Sequence, residues 1–217
     1  MTPVGPSLAL PPGCTAALFD CDGTLVDTLP AHAAAWQVAL GPHGVWRDRD
    51  WYAARAGLSS ADVLALLSAQ TPGLDVVAVD GARRAELARL LPLVREIEVV
   101  GALARRLAAA GVPLAVASGG SRDNVTASLA AAGLAGLFPV VVTREDVVSG
   151  KPAPDVFLAA AAALGVEPGA CGVFEDSDEG LAAAAAAGMQ TVDVRRGIRP
   201  ARPRLARLAQ HYPPDGR

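Results

Sequence analysis

From Pro92 onward the chain switches repeatedly between two residue spacings, and that alternation restricts its fold more than any other feature. Pro113–Ala117, Val140–Thr143, Gly172–Phe174 and Thr191–Val194 are short runs dominated by apolar residues, as is Ala16–Phe19 nearer the start. Between them lie Leu103–Ala110, Val125–Ala132, Pro154–Leu164 and Leu181–Ala187, with apolar residues at helical spacing. Gly111, Gly133 and Gly188 close three of these segments, and Pro154 suits a first helical turn. Apolar runs of this length without polar alternation predict strands buried on both faces. Strands that alternate with helices predict an α/β fold, a parallel sheet covered on both sides.

The alternation fails between Pro30 and Leu91. Ala35, Trp36, Val38 and Ala39 suggest one helix, Val63, Leu64, Leu66 and Leu67 a second, and Val76–Leu91 a third, interrupted by Gly81. The expected organisation is a discontinuous core, residues 1–27 and 93–217, carrying an inserted helical cap, residues 28–92. With 217 residues, 52% of them hydrophobic, the chain can bury a sizeable core. A net charge of −3 argues against nucleic acid or an anionic membrane as partner. No apolar window is long enough to span a bilayer. Three cysteines, Cys14, Cys21 and Cys171, form no disulfide framework, and reduced thiols fit a cytoplasmic protein. Met1–Cys14 lacks a basic segment and reads as a loose tail, not a signal peptide. The segment with Arg195, Arg196, Arg199, Arg202, Arg204 and Arg207 reads as a solvated tail, since no aromatic residues are interleaved. The default oligomeric state is a monomer.

Parallel α/β sheets bind ligands outside the carboxyl ends of their strands. In this chain those ends deliver Asp20-Cys21-Asp22-Gly23-Thr24, then Ser118-Gly119-Gly120-Ser121, then Gly150-Lys151-Pro152, then Glu175-Asp176-Ser177-Asp178. Acids, glycines, a small hydroxyl and a lysine suit a phosphate and a hard cation. Asp20 and Asp22 face one pocket if the backbone turns between them, and a cation or proton must then relieve their repulsion. Mg²⁺ takes carboxylate oxygens, and Asp176 supplies another from a neighbouring strand end. One carboxylate can attack phosphorus while the other moves the proton. Ser118, with the N–H groups of Gly119 and Gly120 at a helix start, can hold phosphate oxygens. Lys151 is the one lysine beside 18 arginines, so a compact point charge there is more than compositional habit. Glu175-Asp176 also reads as an acid pair at a helix start, and each cluster taken alone reads as an ordinary loop.

Taken together, Phe19–Thr28, Ser118–Ser121, Lys151–Asp155 and Phe174–Ser177 resemble the haloacid dehalogenase (HAD) superfamily. The resemblance covers roughly Ala16 to Val194, and a helical insertion straight after the first motif is similar to the cap of the β-phosphoglucomutase-like branch. It implies a Rossmannoid core and a Mg²⁺-dependent phosphatase acting on a small phosphorylated metabolite, a sugar phosphate, through an aspartyl phosphate. Asp20 would be nucleophile and metal ligand, and Asp22 the general acid/base that also binds metal through its main-chain carbonyl. Asp176 would complete the metal site, with Glu175 acting on it directly or through water. Ser118, Gly119, Lys151 and Thr24 would bind phosphate, and His32 would lie near the substrate. A phosphomutase is the alternative. The mutases' cap arginine is missing from the similar stretch Gly57-Leu58-Ser59-Ser60, which speaks against it. A receiver-type signalling domain or an idle phosphate-binding protein is the remaining alternative; the Asp20/Asp22 pair on the first strand and the inserted helices disfavour the receiver. The stretch Cys171–Val194 is similar to fructose-1-phosphate-type sugar phosphatases, and Arg83 and Arg84 read as a solvated helix face, with contact to a sugar phosphate the alternative.

Overall fold

The computed structural model describes residues 8–55 and 58–197. Its centre is a five-stranded parallel sheet built from β1 (Ala16–Phe19), β4 (Leu114–Ala117), β5 (Val140–Val142), β6 (Cys171–Glu175) and β7 (Gln190–Asp193). The spatial order is β5-β4-β1-β6-β7, which puts β1 in the middle. Ala17 pairs with Leu114 on one side and Gly172 on the other. All four residues of β1 are buried. A strand covered on both faces needs no polar alternation, which is why Ala16–Phe19 shows none.

Successive side chains of a strand point to opposite faces, and each face has its own helix layer. Ala17 and Phe19 pack with Val100, Leu103 and Ala104 of α5 (Glu98–Ala109) and with Val125 and Leu129 of α6 (Arg122–Ala131). Ala16 and Leu18 pack with Val156, Phe157, Ala160 and Ala161 of α7 (Asp155–Leu164) and Ala183 and Ala184 of α8 (Asp178–Ala186). Phe19 stacks on Phe174 at 4.7 Å between centroids and meets Phe138 edge-on at 5.7 Å. These contacts fix β1 and β6 just below the residues that follow them.

The helical stretch leaves the sheet through a two-stranded antiparallel ribbon, β2 (Val26–Asp27) against β3 (Arg95–Glu96), which the residue spacing does not reveal. Two residues per strand carry no detectable period. Between these strands run α1 (Leu29–Leu40), α2 (Arg49–Ala53), α3 (Ser60–Gln70) and α4 (Val76–Leu90). They share a separate cluster around Ala33, Trp36, Leu40, Tyr52, Val63, Leu67 and Val79. Helix α4 passes through Gly81 unbroken, and α2 is too short to show a period.

Two sequence expectations need correction. The segment up to Cys14 is not wholly a loose tail: Leu8 is buried, Arg106 donates to its carbonyl, and Leu10 and Pro11 lie against Gly172. A few apolar residues among prolines give no periodic signal, so this strap was invisible in the sequence; residues 1–7 lie outside those described. Arg195 and Arg196 are exposed, and Asp178 and Asp193 both accept from Arg195. Arg199, Arg202, Arg204 and Arg207 lie outside the described residues. Arg83 is buried rather than solvated, paired with Asp80 at 2.6 Å and lying 5.0 Å over the Trp36 ring. Arg84 is exposed and holds the other oxygen of Asp80. Among the described residues no helix is long and apolar enough to cross a membrane.

Candidate active site

The carboxyl ends of β1, β4 and β6, with the loop after β5, converge as the sequence pattern requires. Asp20 extends β1 by one residue, its N–H donating to the Phe174 carbonyl, and its side chain is buried. The chain then turns sharply. Leu25 and Val26 both donate to the Cys21 carbonyl, and Gly23 donates to Val26. Gly23 holds φ +90°, a conformation that favours glycine. A Cβ there would lie 2.8 Å from the carboxyl carbon of Asp176. The glycine is therefore required twice, by the turn and by the acid resting on it. Gly23→Ala is expected to destabilise the protein by about 1–3 kcal/mol and to displace Asp176, read as a lower melting temperature and weaker Mg²⁺ binding in calorimetry.

Lys151 is the hub. Its ammonium donates to Asp20 Oδ1 at 2.6 Å and to Glu175 Oε2 at 2.7 Å, and it lies 4.9 Å from the Phe157 ring centroid. Its side chain is 5% exposed. Burial works against the Lys151 charge, but Asp20 and Glu175 outweigh it and hold its pKa above the ordinary lysine value. Glu175 is fully engaged: its second oxygen accepts from Asp176 N, Ser177 N and Ser177 Oγ. Its carboxyl rests against Gly180, where any Cβ would collide with it. Asp176 accepts from Thr24 Oγ1 at 2.8 Å, and Thr24 is buried.

Asp20, Glu175 and Asp176 each present an oxygen within 4.8 Å of the others. Three carboxylates thus face one ammonium. Burial, then Glu175, raises Asp20 well above the ordinary aspartate value, against the pull of Lys151. Burial and Glu175 likewise push Asp176 up to about 6. The donor set is short of positive charge, and all its donors are oxygens. That fits a hard divalent cation such as Mg²⁺.

Asp22 behaves differently. Burial pushes it upward, but the neighbouring His32 and Thr28 and the charge of Lys151 leave it below the ordinary value. His32, on the first turn of α1, has Nε2 3.8 Å from Asp22 Oδ1. A Cβ on Gly120 would lie 3.2 Å from Asp22 Oδ2 and 3.3 Å from Ser118 Oγ, so Asp22 borders the Ser118–Gly120 loop. Ser118 is buried, and its hydroxyl accepts from Gly120 N at 3.0 Å. Gly119 is exposed beside it.

The structure therefore brings together Asp20, Asp22, Thr24, His32, Ser118, Lys151, Glu175 and Asp176. The sequence reading missed Thr28, Ser177 and Gly180. A glycine in the first turn of α8 costs helix propensity and was the available signal; Thr28 occupies the N-cap position of α1 without a capping hydrogen bond and lies near Asp22, whose pKa it lowers. Of the cap stretch Gly57–Ser60, Gly57 lies outside the described residues, and Ser59 caps α3 by accepting from Asp62 N.

The chain has known relatives. The family model for haloacid dehalogenase-like hydrolases matches residues 14–188. The chain is a haloacid dehalogenase-like hydrolase. It is 38% identical over 185 residues to fructose-1-phosphate phosphatase YqaB of Escherichia coli, covering 82% of this chain and 95% of that one. It is 34% identical to hexitol phosphatase A of the same organism, covering 83% of each. Among solved structures, a HAD family hydrolase from Deinococcus radiodurans with bound phosphate and sodium superposes with a TM-score of 0.65 at 34% identity, covering 82% of this chain and 80% of that one. CbbY from Rhodobacter sphaeroides in complex with phosphate gives a TM-score of 0.73 at 27% identity, covering 82% and 84%. This HAD-like hydrolase shares their parallel-sheet architecture.

Proposed function

We propose that the chain is a Mg²⁺-dependent phosphatase that hydrolyses a small phosphomonoester, a sugar phosphate, through a phosphorylated Asp20. The observation that carries this reading is the cluster of Asp20, Glu175 and Asp176, two of them bonded to Lys151, with Asp22 lying beside the Ser118–Gly120 loop. The named phosphatase relatives act on sugar and hexitol phosphates, and two of the similar structures hold phosphate.

Asp20 and Asp176 would hold the ion, with Asp22 contributing its main-chain carbonyl. When bound, Mg²⁺ supplies positive charge that draws a phosphoryl oxygen toward Asp20 and offsets the repulsion between the two anions. Asp20 attacks phosphorus, and the bond to the departing alcohol breaks as the carboxylate–phosphorus bond forms. Lys151, Ser118 and the N–H of Gly119 hold the transferring oxygens, and Lys151 also keeps Asp20 aimed. Thr24 fixes Asp176, and Glu175 fixes Lys151. Asp22 delivers a proton to the alcohol, then takes one from the water that releases orthophosphate from Asp20. In the free protein His32 and Thr28 favour the Asp22 carboxylate; the negative charge of an arriving phosphate raises its proton affinity and makes it an acid. The helices of residues 28–92 close over this step and exclude water.

The test is phosphate release by the purified protein from a panel of phosphorylated metabolites, with isomer formation from a hexose 1-phosphate followed in parallel. Sugar phosphates should release phosphate without isomerisation. Isomer formation in place of release would make the chain a mutase. EDTA should bring release to background and Mg²⁺ should restore it. Saturating Mg²⁺, near a hundredfold over Kd, should raise the melting temperature by roughly 5–10 °C, read by scanning calorimetry.

A further inference from the structure

One basic side chain at the carboxyl edge of the sheet lies outside the mechanism just described. Arg144 follows Thr143 at the end of β5, in a short turn braced by the Asp146 carboxylate, which accepts from Thr143 N and Thr143 Oγ1. Asp146 is also taken by Arg122. Among the described residues Arg144 has no ion-pair partner. Its contacts run to two loops instead. Its N–H donates to the Gly120 carbonyl at 3.2 Å, in the loop that carries Ser118. Its Nη1 donates to the Val147 carbonyl at 2.8 Å, in the loop that leads to Lys151. Its Cδ and Nε lie across Gly150, each 3.1 Å from where a Cβ would stand. Among the described residues, no other heavy atom beyond the chain neighbours comes within 4 Å of that point. Gly150 thus leaves room for one thing, the arginine stem.

We infer that Arg144 is a positioning residue for phosphate recognition: it clamps the Ser118–Gly120 loop against the Val147–Lys151 loop, so that Ser118 and Lys151 close on the same phosphoryl group. The inference rests on the phosphatase reading for the identity of that group. It assigns Arg144 no contact with the substrate. The main-chain bond to Gly120 survives any side-chain change, so substitution isolates the half of the clamp that reaches Val147 and Gly150.

The experiment measures orthophosphate affinity by calorimetry with Mg²⁺ present, together with KM and kcat for the best substrate found. Losing one such hydrogen bond and its packing should weaken orthophosphate binding and raise KM by roughly 3- to 10-fold in Arg144→Ala, with a smaller change in kcat. Gly150→Ala, whose Cβ would stand 3.1 Å from the arginine stem and press it aside by a few tenths of an ångström, should weaken orthophosphate binding by a smaller factor. In Arg144→Ala/Gly150→Ala the second change should cost nothing further, because the stem it would displace is gone. Wild-type orthophosphate affinity in Arg144→Ala overturns the inference, as does a double variant whose losses multiply. A wild-type protein that neither binds nor releases phosphate overturns the phosphatase reading and this inference together. A wild-type protein that does both while Arg144→Ala matches it overturns the inference alone.

Discussion

Asp20→Asn is expected to lower phosphate release by about 10⁴-fold or more, while leaving the protein folded and more stable than the wild type. The two halves of this expectation come from the same contacts. Loss of the carboxylate removes the atom that attacks phosphorus, and no other acid can replace it. Asp22 lies beside His32, Glu175 has both oxygens occupied, and Asp176 is held by Thr24. A 10⁴-fold loss corresponds to about 5.5 kcal/mol of transition-state stabilisation. The amide nevertheless keeps the shape of the side chain and retains an oxygen to accept from Lys151. It also removes one of three carboxylates crowded within 4.8 Å of one another. Burial and Glu175 hold Asp20 well above the ordinary aspartate value, so its charged form is costly in the metal-free protein. Removing that charge therefore stabilises. An active site that holds like charges together sacrifices stability for activity. The readouts are phosphate release and the melting temperature without metal. Turnover within tenfold of wild type would remove Asp20 as the nucleophile. A lower melting temperature would mean that the cluster is not repulsive and would undo the argument for a cation.

The sequence disclosed the site better than it disclosed what surrounds it, for a physical reason. Asp20, Ser118 and Glu175 sit directly at the ends of apolar strands, and in a parallel sheet all such ends lie on one side. Locating the strands therefore locates the residues, whatever the helices between them do. Lys151 stood out because the chain uses arginine everywhere else. What escaped notice depends on contacts between segments distant in sequence. Arg83 lies in a stretch that reads as a polar helix face, and the sequence does not show that it lies over Trp36, 47 residues earlier. Leu8 and Leu10 have no period of their own and take their places against Gly197 and Gly172. Thr28 resembles an ordinary helix cap, and its influence on Asp22 depends on the turn at Gly23 between them. Glycines were legible where they end helices and illegible where they admit a side chain. Gly23, Gly150 and Gly180 make room for Asp176, Arg144 and Glu175 respectively.

Lys151→Met should damage both activity and fold, in contrast to Asp20→Asn. Methionine preserves the length of the stem and its packing against Phe157 but removes the charge. Asp20 and Glu175 then remain buried, facing each other with no cation between them. Removing one partner of a buried ion pair leaves the other uncompensated, at about 3–5 kcal/mol, a large share of the stability of an ordinary domain. Activity should fall by roughly 10²–10³, because the ammonium no longer stabilises charge on the transferring phosphoryl group. Arginine should not rescue it. The guanidinium is broader than an ammonium, and Lys151, 5% exposed, sits in a space sized for a point charge. The cause can be isolated with Glu175→Gln. In Lys151→Met/Glu175→Gln the unpaired acid is neutralised, so stability should recover by 1 kcal/mol or more while activity stays low. Chemical denaturation of the two single variants and the double variant, without metal, measures the coupling. If Lys151→Met matches the wild type in stability, the ion pair carries no structural weight. If the double variant recovers activity as well, Lys151 serves only to balance Glu175 and takes no part in holding phosphate.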